Sequence, residues 1–146
     1  MIIFNTLTTS VSEYSLAPQS ITPTHMGDAL GLYLLGGDLD DTQPVIGEVI
    51  TGGTQWDASL KKHVGMVYFA MTGEGEGEGG GELIVQGKSN EYRYSFQVRS
   101  SGQSRAQPGK GIRENYLAFG FSNPDGYYFQ LDRIEVLVAQ SKTRRV

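Results

Sequence analysis

Residues 116–138, YLAFGFSNPDGYYFQLDRIEVLV, decide the predicted fold. Leu117, Phe119 and Phe121 alternate with the residues between them, a period of two that is typical of a strand with one buried face. Residues 122–126, SNPDG, combine proline, aspartate and glycine, which predicts a tight reversal of the chain. We therefore predict a hairpin that carries the densest apolar content of the chain and against which the other strands pack.

The returning half of this stretch changes the parity of its apolar residues. Tyr127, Phe129 and Leu131 have odd numbers, whereas the apolar residues that follow have even numbers: Ile134, Val136 and Val138. A strand cannot turn its side chains to the opposite face without an extra residue. We predict a β-bulge or a sheet-crossing bend at Asp132 and Arg133.

The composition is that of an all-β domain rich in turns. Glycine accounts for 20 of the 146 residues, aromatic residues for 10%, and no stretch has sustained helical periodicity. This length suffices for one domain that buries most of its apolar surface. We predict an antiparallel β-sandwich, jelly-roll-like, with about seven to nine strands and little or no helix.

The chain is predicted to have three parts. Residues 1–27 are polar, contain Pro18 and Pro23, and are interpreted as an extended arm or a pair of short strands. Residues 28–140 form the β-sandwich domain. Residues 141–146 form a basic C-terminal tail.

Within the sandwich, the apolar pattern predicts individual strands. Residues 64–71, VGMVYFAM, indicate a central strand that is covered on both faces, and residues 91–99, EYRYSFQVR, alternate like a half-buried strand. Strands are also predicted over residues 28–35 and over residues 44–53. Residues 100–111 are interpreted as a polar loop.

Residues 73–81, GEGEGEGGG, are of low complexity. No side chain in this run is suited to anchor it to a core, so we predict a mobile, exposed hairpin loop. It is not a phosphate-binding loop, because it lacks the Gly-Lys-Ser/Thr ending and its glutamates would repel phosphate.

Several classes of chemistry are disfavoured by composition. The chain has no cysteine, which excludes disulfides and thiolate metal sites. No apolar run is long enough to cross a membrane, and the first residues lack the pattern of a secretory signal. No serine or threonine stands in a glycine-flanked elbow, and a glycosidase would need a carboxylate pair that spacing alone does not define. We predict a protein that is not an enzyme and has no cofactor.

Metal binding has two weak candidates. Asp38, Asp40 and Asp41 in a glycine-containing turn could ligate calcium, although their spacing differs from that of the helix–loop–helix calcium loop, and the alternative is a solvated turn. His25 and His63 would need further carboxylate ligands to bind zinc. We predict no bound metal.

The net charge of −4 is unevenly distributed along the chain. Residues 1–87 carry two lysines against eleven acidic residues, and residues 88–146 carry ten basic against five acidic residues. One interpretation is a surface on which the two halves are interleaved. The other is an acidic face and a basic face that meet between neighbouring subunits.

Two kinds of ligand are alternatives to self-assembly. A carbohydrate could stack on exposed aromatic rings, for which Trp56, Tyr127 and Tyr128 are the candidates. Trp56 and Tyr127 are better interpreted as core residues, whereas Tyr128 has the parity of the polar face and is the best exposed candidate. Nucleic acid could contact a basic set with interleaved tyrosines, namely Arg93, Arg99, Arg105, Lys110 and Arg113. The overall acidity of the chain argues against nucleic acid.

From residue 59 onward the sequence resembles structural proteins of tailed-bacteriophage virions. The resembling stretches are SLKK at 59–62, EYRYSFQVR at 91–99, PGKGIRENY at 108–116, SNPDG at 122–126, FQLDRIE at 129–135, and Arg144 with Arg145. The resemblance implies a β-sandwich subunit of the tail, the head-to-tail connection or the capsid decoration, made in the host cytoplasm and located in the virion. It also implies a homo-oligomer whose partners are other virion proteins, without a membrane.

An assembly subunit of this kind needs complementary surfaces and no catalytic residues. The basic tail, with Lys142, Arg144 and Arg145, is predicted to contact an acidic surface on an adjacent subunit. The candidate acidic surface consists of Asp38, Asp40 and Asp41.

Overall fold

The computed structural model describes residues 2–4, 6–7, 9, 11–13, 17–37, 39–40, 42–55, 61–73, 80–99 and 102–140. The chain divides into two compact units, Met1–Gly37 and Asp38–Val146. The described residues contain no helix, and all their strand pairs are antiparallel. The all-β prediction is therefore confirmed.

The first unit consists of short strands: β1 (Ile2–Phe4), β2 (Val11–Glu13), β3 (Ser20–Ile21), β4 (His25–Gly27) and β5 (Leu32–Leu34). β1 pairs with β2, and β3, β4 and β5 form a three-stranded sheet. The Asp28 carboxylate accepts hydrogen bonds from the backbone N–H groups of Leu30 and Gly31 and closes a turn between β4 and β5. The prediction of a single strand over residues 28–35 is therefore wrong. The predicted boundary between residues 27 and 28 falls between β4 and β5, which pair with each other.

The second unit contains ten strands: β6 (Leu39–Asp40), β7 (Gln43–Pro44), β8 (Glu48–Ile50), β9 (Lys62–Gly73), β10 (Gly80–Gln86), β11 (Glu91–Gln97), β12 (Gln103–Ala106), β13 (Arg113–Glu114), β14 (Ala118–Ser122) and β15 (Phe129–Gln140). The first sheet has the order β11-β10-β14-β8. In the second sheet β9 is central, with β12 and β13 along one edge and β15 along the other. These two sheets hold eight strands, and with the short strands outside them the described residues contain fifteen, more than the predicted seven to nine.

A cluster of aromatic rings joins the two sheets in the core. Phe69 of β9 stacks on Phe96 of β11 at a centroid distance of 5.0 Å. Phe121 of β14 contacts both rings and lies 4.8 Å from the ring of Phe129 on β15. Edge-to-face and offset pairs at these distances add to the stabilisation from buried area. The cluster shows that the inner faces of both sheets share one hydrophobic core.

The predicted hairpin over residues 116–138 is wrong, although both of its strands exist. β14 and β15 belong to different sheets, and a turn in which Gly126 N–H donates to the Asn123 carbonyl at 3.0 Å carries the chain between them. Gly126 has a φ of 74°, a conformation that favours glycine. β14 is buried along its length and pairs with β10 and β8 on its two edges, so β15 pairs with β9 instead.

The predicted bulge in β15 is confirmed. Leu131 pairs with Met71 and Arg133 pairs with Ala70, so Asp132 is the extra residue that changes the inward-facing parity. A second shift lies further along the same ladder, where Leu137 pairs with Met66 and Val138 pairs with Val64. There Gly65 is the extra residue and belongs to β9.

Three other strand predictions have mixed outcomes. β11 alternates between exposed and half-buried residues as predicted. β9 is central as predicted, but its outward face is only partly covered. The predicted strand over residues 44–53 is wrong in its extent. Pro44 is the last residue of β7, and the rest of this range contains the three-residue strand β8.

Two predicted loops differ from the structure. The region 100–111 contains β12, in which Ser104 and Ala106 are fully buried. The run 73–81 does not close a hairpin, because β9 and β10 belong to different sheets, and Gly81 is buried against the side chains of Phe96, Val98 and Phe121. The interior of that run, residues 74–79, lies outside the described residues.

Candidate functional site

A cluster of charged side chains lies on the outer face of the first sheet. Arg93 of β11 forms ion pairs with Glu91 of its own strand at 2.7 Å, with Glu48 of β8 at 3.0 Å and with Glu82 of β10 at 3.1 Å. Gln86 donates a further hydrogen bond to Glu91 at 2.9 Å. The β-ladder registers bring these residues together from three strands, of which β8 is distant in sequence from β10 and β11.

The electrostatics of this cluster favour the charged forms of Arg93 and Glu91. The hydrogen bonds to Glu48, then Glu91, then Glu82 raise the pKa of Arg93. The hydrogen bonds from Gln86 and Arg93 lower the pKa of Glu91 below its ordinary value. Arg93 is therefore paired with three carboxylates on the outer face of the sheet.

Substitution of Arg93 by glutamine should lower the melting temperature at pH 7 modestly, by a few degrees, because three carboxylates then face one another without a cation. The pKa of Glu91 is lower in the folded state than its ordinary value. The stability that ionised Glu91 contributes is therefore fully present above its unfolded-state pKa and is lost as the pH falls through its folded-state pKa. The difference in melting temperature between the variant and the parent should therefore shrink in acid. Thermal melts at pH 7 and at about pH 3 measure it.

Arg133 offers the matched control, because it forms a single exposed ion pair, with Glu135 at 2.7 Å. Arg133→Gln should leave the melting temperature nearly unchanged at both pH values. Equal losses in the two variants would show that the network around Arg93 adds nothing beyond an ordinary surface pair.

A basic groove lies near the beginning of β9. It has a volume of about 260 Å³ and is lined by His63, Val64, Gly65, Gln107, Pro108, Lys110 and Arg113. Arg113 of β13 lies directly opposite His63 in the ladder, so both side chains project from the same face of the sheet. Lys110 belongs to the connection between β12 and β13, which places a second cation at the same groove.

The exposed aromatic residues predicted for sugar stacking have different outcomes. Tyr128 is 62% exposed, in agreement with its predicted position on the polar face. Tyr127 is 41% exposed, so the interpretation of Tyr127 as a core residue is wrong. Both tyrosines border an apolar recess of about 20 Å³, which holds roughly one water molecule rather than a sugar ring. Trp56 lies outside the described residues.

The predicted contact between the basic tail and the acidic turn is not described by the structure. The residues concerned, Lys142, Arg144, Arg145, Asp38 and Asp41, lie outside the described part of the chain. For Asp40 the structure describes the backbone, which belongs to β6 and pairs with β7.

The histidines belong to different surroundings. The ring of His25 hydrogen-bonds with the Thr24 hydroxyl at 2.9 Å in the first unit, whereas His63 lies at the basic groove of the second. Within the described ranges, no group of three or more side chains is arranged to hold a metal ion. The same ranges contain no helix long and apolar enough to cross a membrane.

The first unit exposes many large apolar side chains. Leu7 is 93% exposed and Leu30 is 88% exposed, and Met26 is the one apolar side chain buried among the described residues of this unit. The exposed apolar set of the unit consists of Ile2, Ile3, Phe4, Leu7, Val11, Ile21, Leu30, Leu32, Leu34 and Leu35. These exposed apolar side chains are available for burial against another molecule.

We compared the chain with protein-family models, with curated proteins and with solved structures, and none of them matches it. By its fold the chain is an all-β protein with a sandwich of two sheets. It carries a charged cluster on the outer face of one sheet, a basic groove, and an N-terminal unit rich in exposed apolar residues.

Proposed function

We propose that the chain is a structural subunit of a tailed-bacteriophage virion that assembles with copies of itself and with other virion proteins into a symmetric ring or lattice. The observation that carries the proposal is the exposed apolar set of the first unit. Ten large apolar side chains that face solvent in one copy would be buried where a second copy covers them.

The architecture of the second unit supports the same proposal. The aromatic cluster fixes the two sheets of the sandwich against each other, which provides the rigid body that a repeated assembly needs. Its outer surface carries a charge network around Arg93 and a basic groove with Lys110 and Arg113. Structural and interaction surfaces of this kind need no catalytic group.

The proposal is tested by the oligomeric state of the purified full chain. Native mass spectrometry and sedimentation velocity over a range of concentrations should show a defined oligomer, and electron microscopy should show rings or ordered arrays. The triple variant Leu30→Thr, Leu32→Thr, Leu34→Thr should dissociate that oligomer without unfolding the chain, because all three side chains are exposed. Leu32 and Leu34 belong to β5, where threonine suits a strand, and Leu30 belongs to the turn before it.

Leu137 provides the control, because it is an exposed leucine of the second unit. Leu137→Thr should leave the oligomer intact. A parent chain that stays monomeric at all concentrations and does not bind phage particles would overturn the proposed function.

A further inference from the structure

The basic groove near the beginning of β9 combines buried apolar residues with exposed hydrogen-bond donors. Val64 and Pro108 are buried and line the groove together with Gly65. The other lining residues carry nitrogen donors, and these are the half-buried His63 and the exposed Gln107, Lys110 and Arg113. The volume of about 260 Å³ is slightly below the roughly 300–1,000 Å³ of sites for drug-sized ligands. The groove is therefore suited to a smaller ligand.

The cations of the groove are not neutralised by the residues that the structure describes. Within those residues no ion pair engages Lys110 or Arg113, and no carboxylate lines the groove. Glu114, which follows Arg113 on β13, lies opposite Lys62 in the ladder and projects from the other face of the sheet. Arg113 and Lys110 are therefore available to an anionic ligand.

Gly65 leaves open space beside these cations. It is the extra residue of the second bulge, so its backbone is not paired in the ladder with β15. A Cβ atom at this position would meet only the carbonyl oxygen of Leu137, at 3.5 Å, which is an ordinary contact. Its φ is not in the left-handed region either. The fold therefore does not require glycine here, and a glycine within a strand is typical of a place that another group approaches closely.

We propose that the basic groove binds the phosphate group of a small phosphate monoester. A phosphate monoester carries a charge of about −1.5 to −2 at neutral pH and more acceptor oxygens than a carboxylate, which matches two cations with further donors beside them. Arg113 supplies a planar fork for two oxygens, and Lys110 supplies a point charge. Val64 and Pro108 offer apolar contact to the carbon part of the ester. This inference goes beyond the proposed function and does not depend on it.

Titration of the full chain with phenyl phosphate, followed by NMR of the backbone amides and by calorimetry, tests the site. At about 0.15 M salt, where distant charges are screened, Arg113→Gln and Lys110→Gln should each weaken binding at least about tenfold. Arg105→Gln is the matched control, because Arg105 is an exposed arginine of β12 that does not line the groove. It should change the affinity by less than about twofold.

Gly65→Val tests the location of the site without removing a charge. Valine suits a strand, and the space around a Cβ atom at this position is open, so the fold should persist while the side chain occupies room in the groove. Binding of phenyl phosphate should weaken at least about tenfold, with the melting temperature of the parent retained. Gly65→Ala takes its place if valine lowers the melting temperature. Parental affinity in a folded variant would overturn the assignment to this groove.

Three further probes identify the chemistry that the groove recognises. Inorganic phosphate should bind more weakly than phenyl phosphate, because it lacks a carbon part to contact the apolar lining, and benzoate should bind at least about tenfold more weakly. Benzoate that binds as tightly as phenyl phosphate would overturn the preference for phosphate. A single-stranded oligonucleotide that binds more tightly than phenyl phosphate would overturn the assignment to a small ligand. Equal losses in Arg105→Gln and Arg113→Gln, or no binding of phenyl phosphate to the parent chain, would overturn the site itself.

Discussion

Replacing Phe121 by alanine should lower the free energy of unfolding by about 3–5 kcal/mol. Its ring is buried in the core and contacts Phe69, Phe96 and Phe129, which belong to three other strands in both sheets. Alanine removes the transfer energy of the ring and leaves a cavity that three neighbouring rings cannot fill without moving. Since a domain is stabilised by only about 5–15 kcal/mol, the loss is a large fraction of the total.

Chemical denaturation with guanidinium chloride, followed by fluorescence and circular dichroism, measures this effect. Phe121→Leu keeps most of the volume and should cost less than the alanine variant. Tyr128→Ala removes an aromatic side chain of similar size that is exposed, and should change stability little. Similar losses for Phe121→Ala and Tyr128→Ala would show that the ring cluster does not hold the sheets together.

The strands that could be predicted are those whose two faces differ in polarity. β11 has a tyrosine or phenylalanine at every second position, and its half-buried pattern follows directly. The bulge at Asp132 was predictable because a change of parity requires an extra residue whatever the partner strand is. These features depend only on local alternation.

The pairing of β14 and β15 could not be predicted from the same local pattern. The sequence SNPDG produces a reversal whether the chain returns beside its own strand or crosses to the other sheet. The choice depends on which strands occupy the edges of β14, and these are β8 and β10, far away in sequence. β12 escaped prediction for a different reason, because its inward residues are Ser104 and Ala106, which give no apolar alternation.

The two charged surfaces also depend on long-range register. Glu48, Glu82 and Arg93 lie on three strands of the first sheet, and nothing in their spacing predicts that they meet. Likewise, Lys110 and Arg113 were recognisable as basic residues, but the groove needs the ladder that places Arg113 opposite His63. The sequence predicted the uneven charge of the chain but not the places where the described residues pair that charge or gather it in a groove.

Gly120 is the position where the first sheet should be least tolerant of any side chain. A Cβ atom there would lie 2.6 Å from the Val49 carbonyl oxygen and 2.9 Å from Cγ1 of Ile50, its partner on β8. The nearest obstacle is a backbone atom, so β8 itself must shift to make room. We expect Gly120→Ala to lower the free energy of unfolding by about 1–3 kcal/mol, the usual cost of overpacking a core.

Gly52 is the matched control, because a Cβ atom there meets nothing within 4 Å. Gly52→Ala should leave stability unchanged or raise it by up to about 1 kcal/mol, since alanine reduces the entropy of the unfolded chain. Hydrogen exchange should add a local signature in the Gly120→Ala variant, namely faster exchange at the amide of Thr51, which donates to the Phe119 carbonyl at 2.8 Å. Equal stability of the two alanine variants would mean that β8 moves aside freely and contributes little to the sandwich.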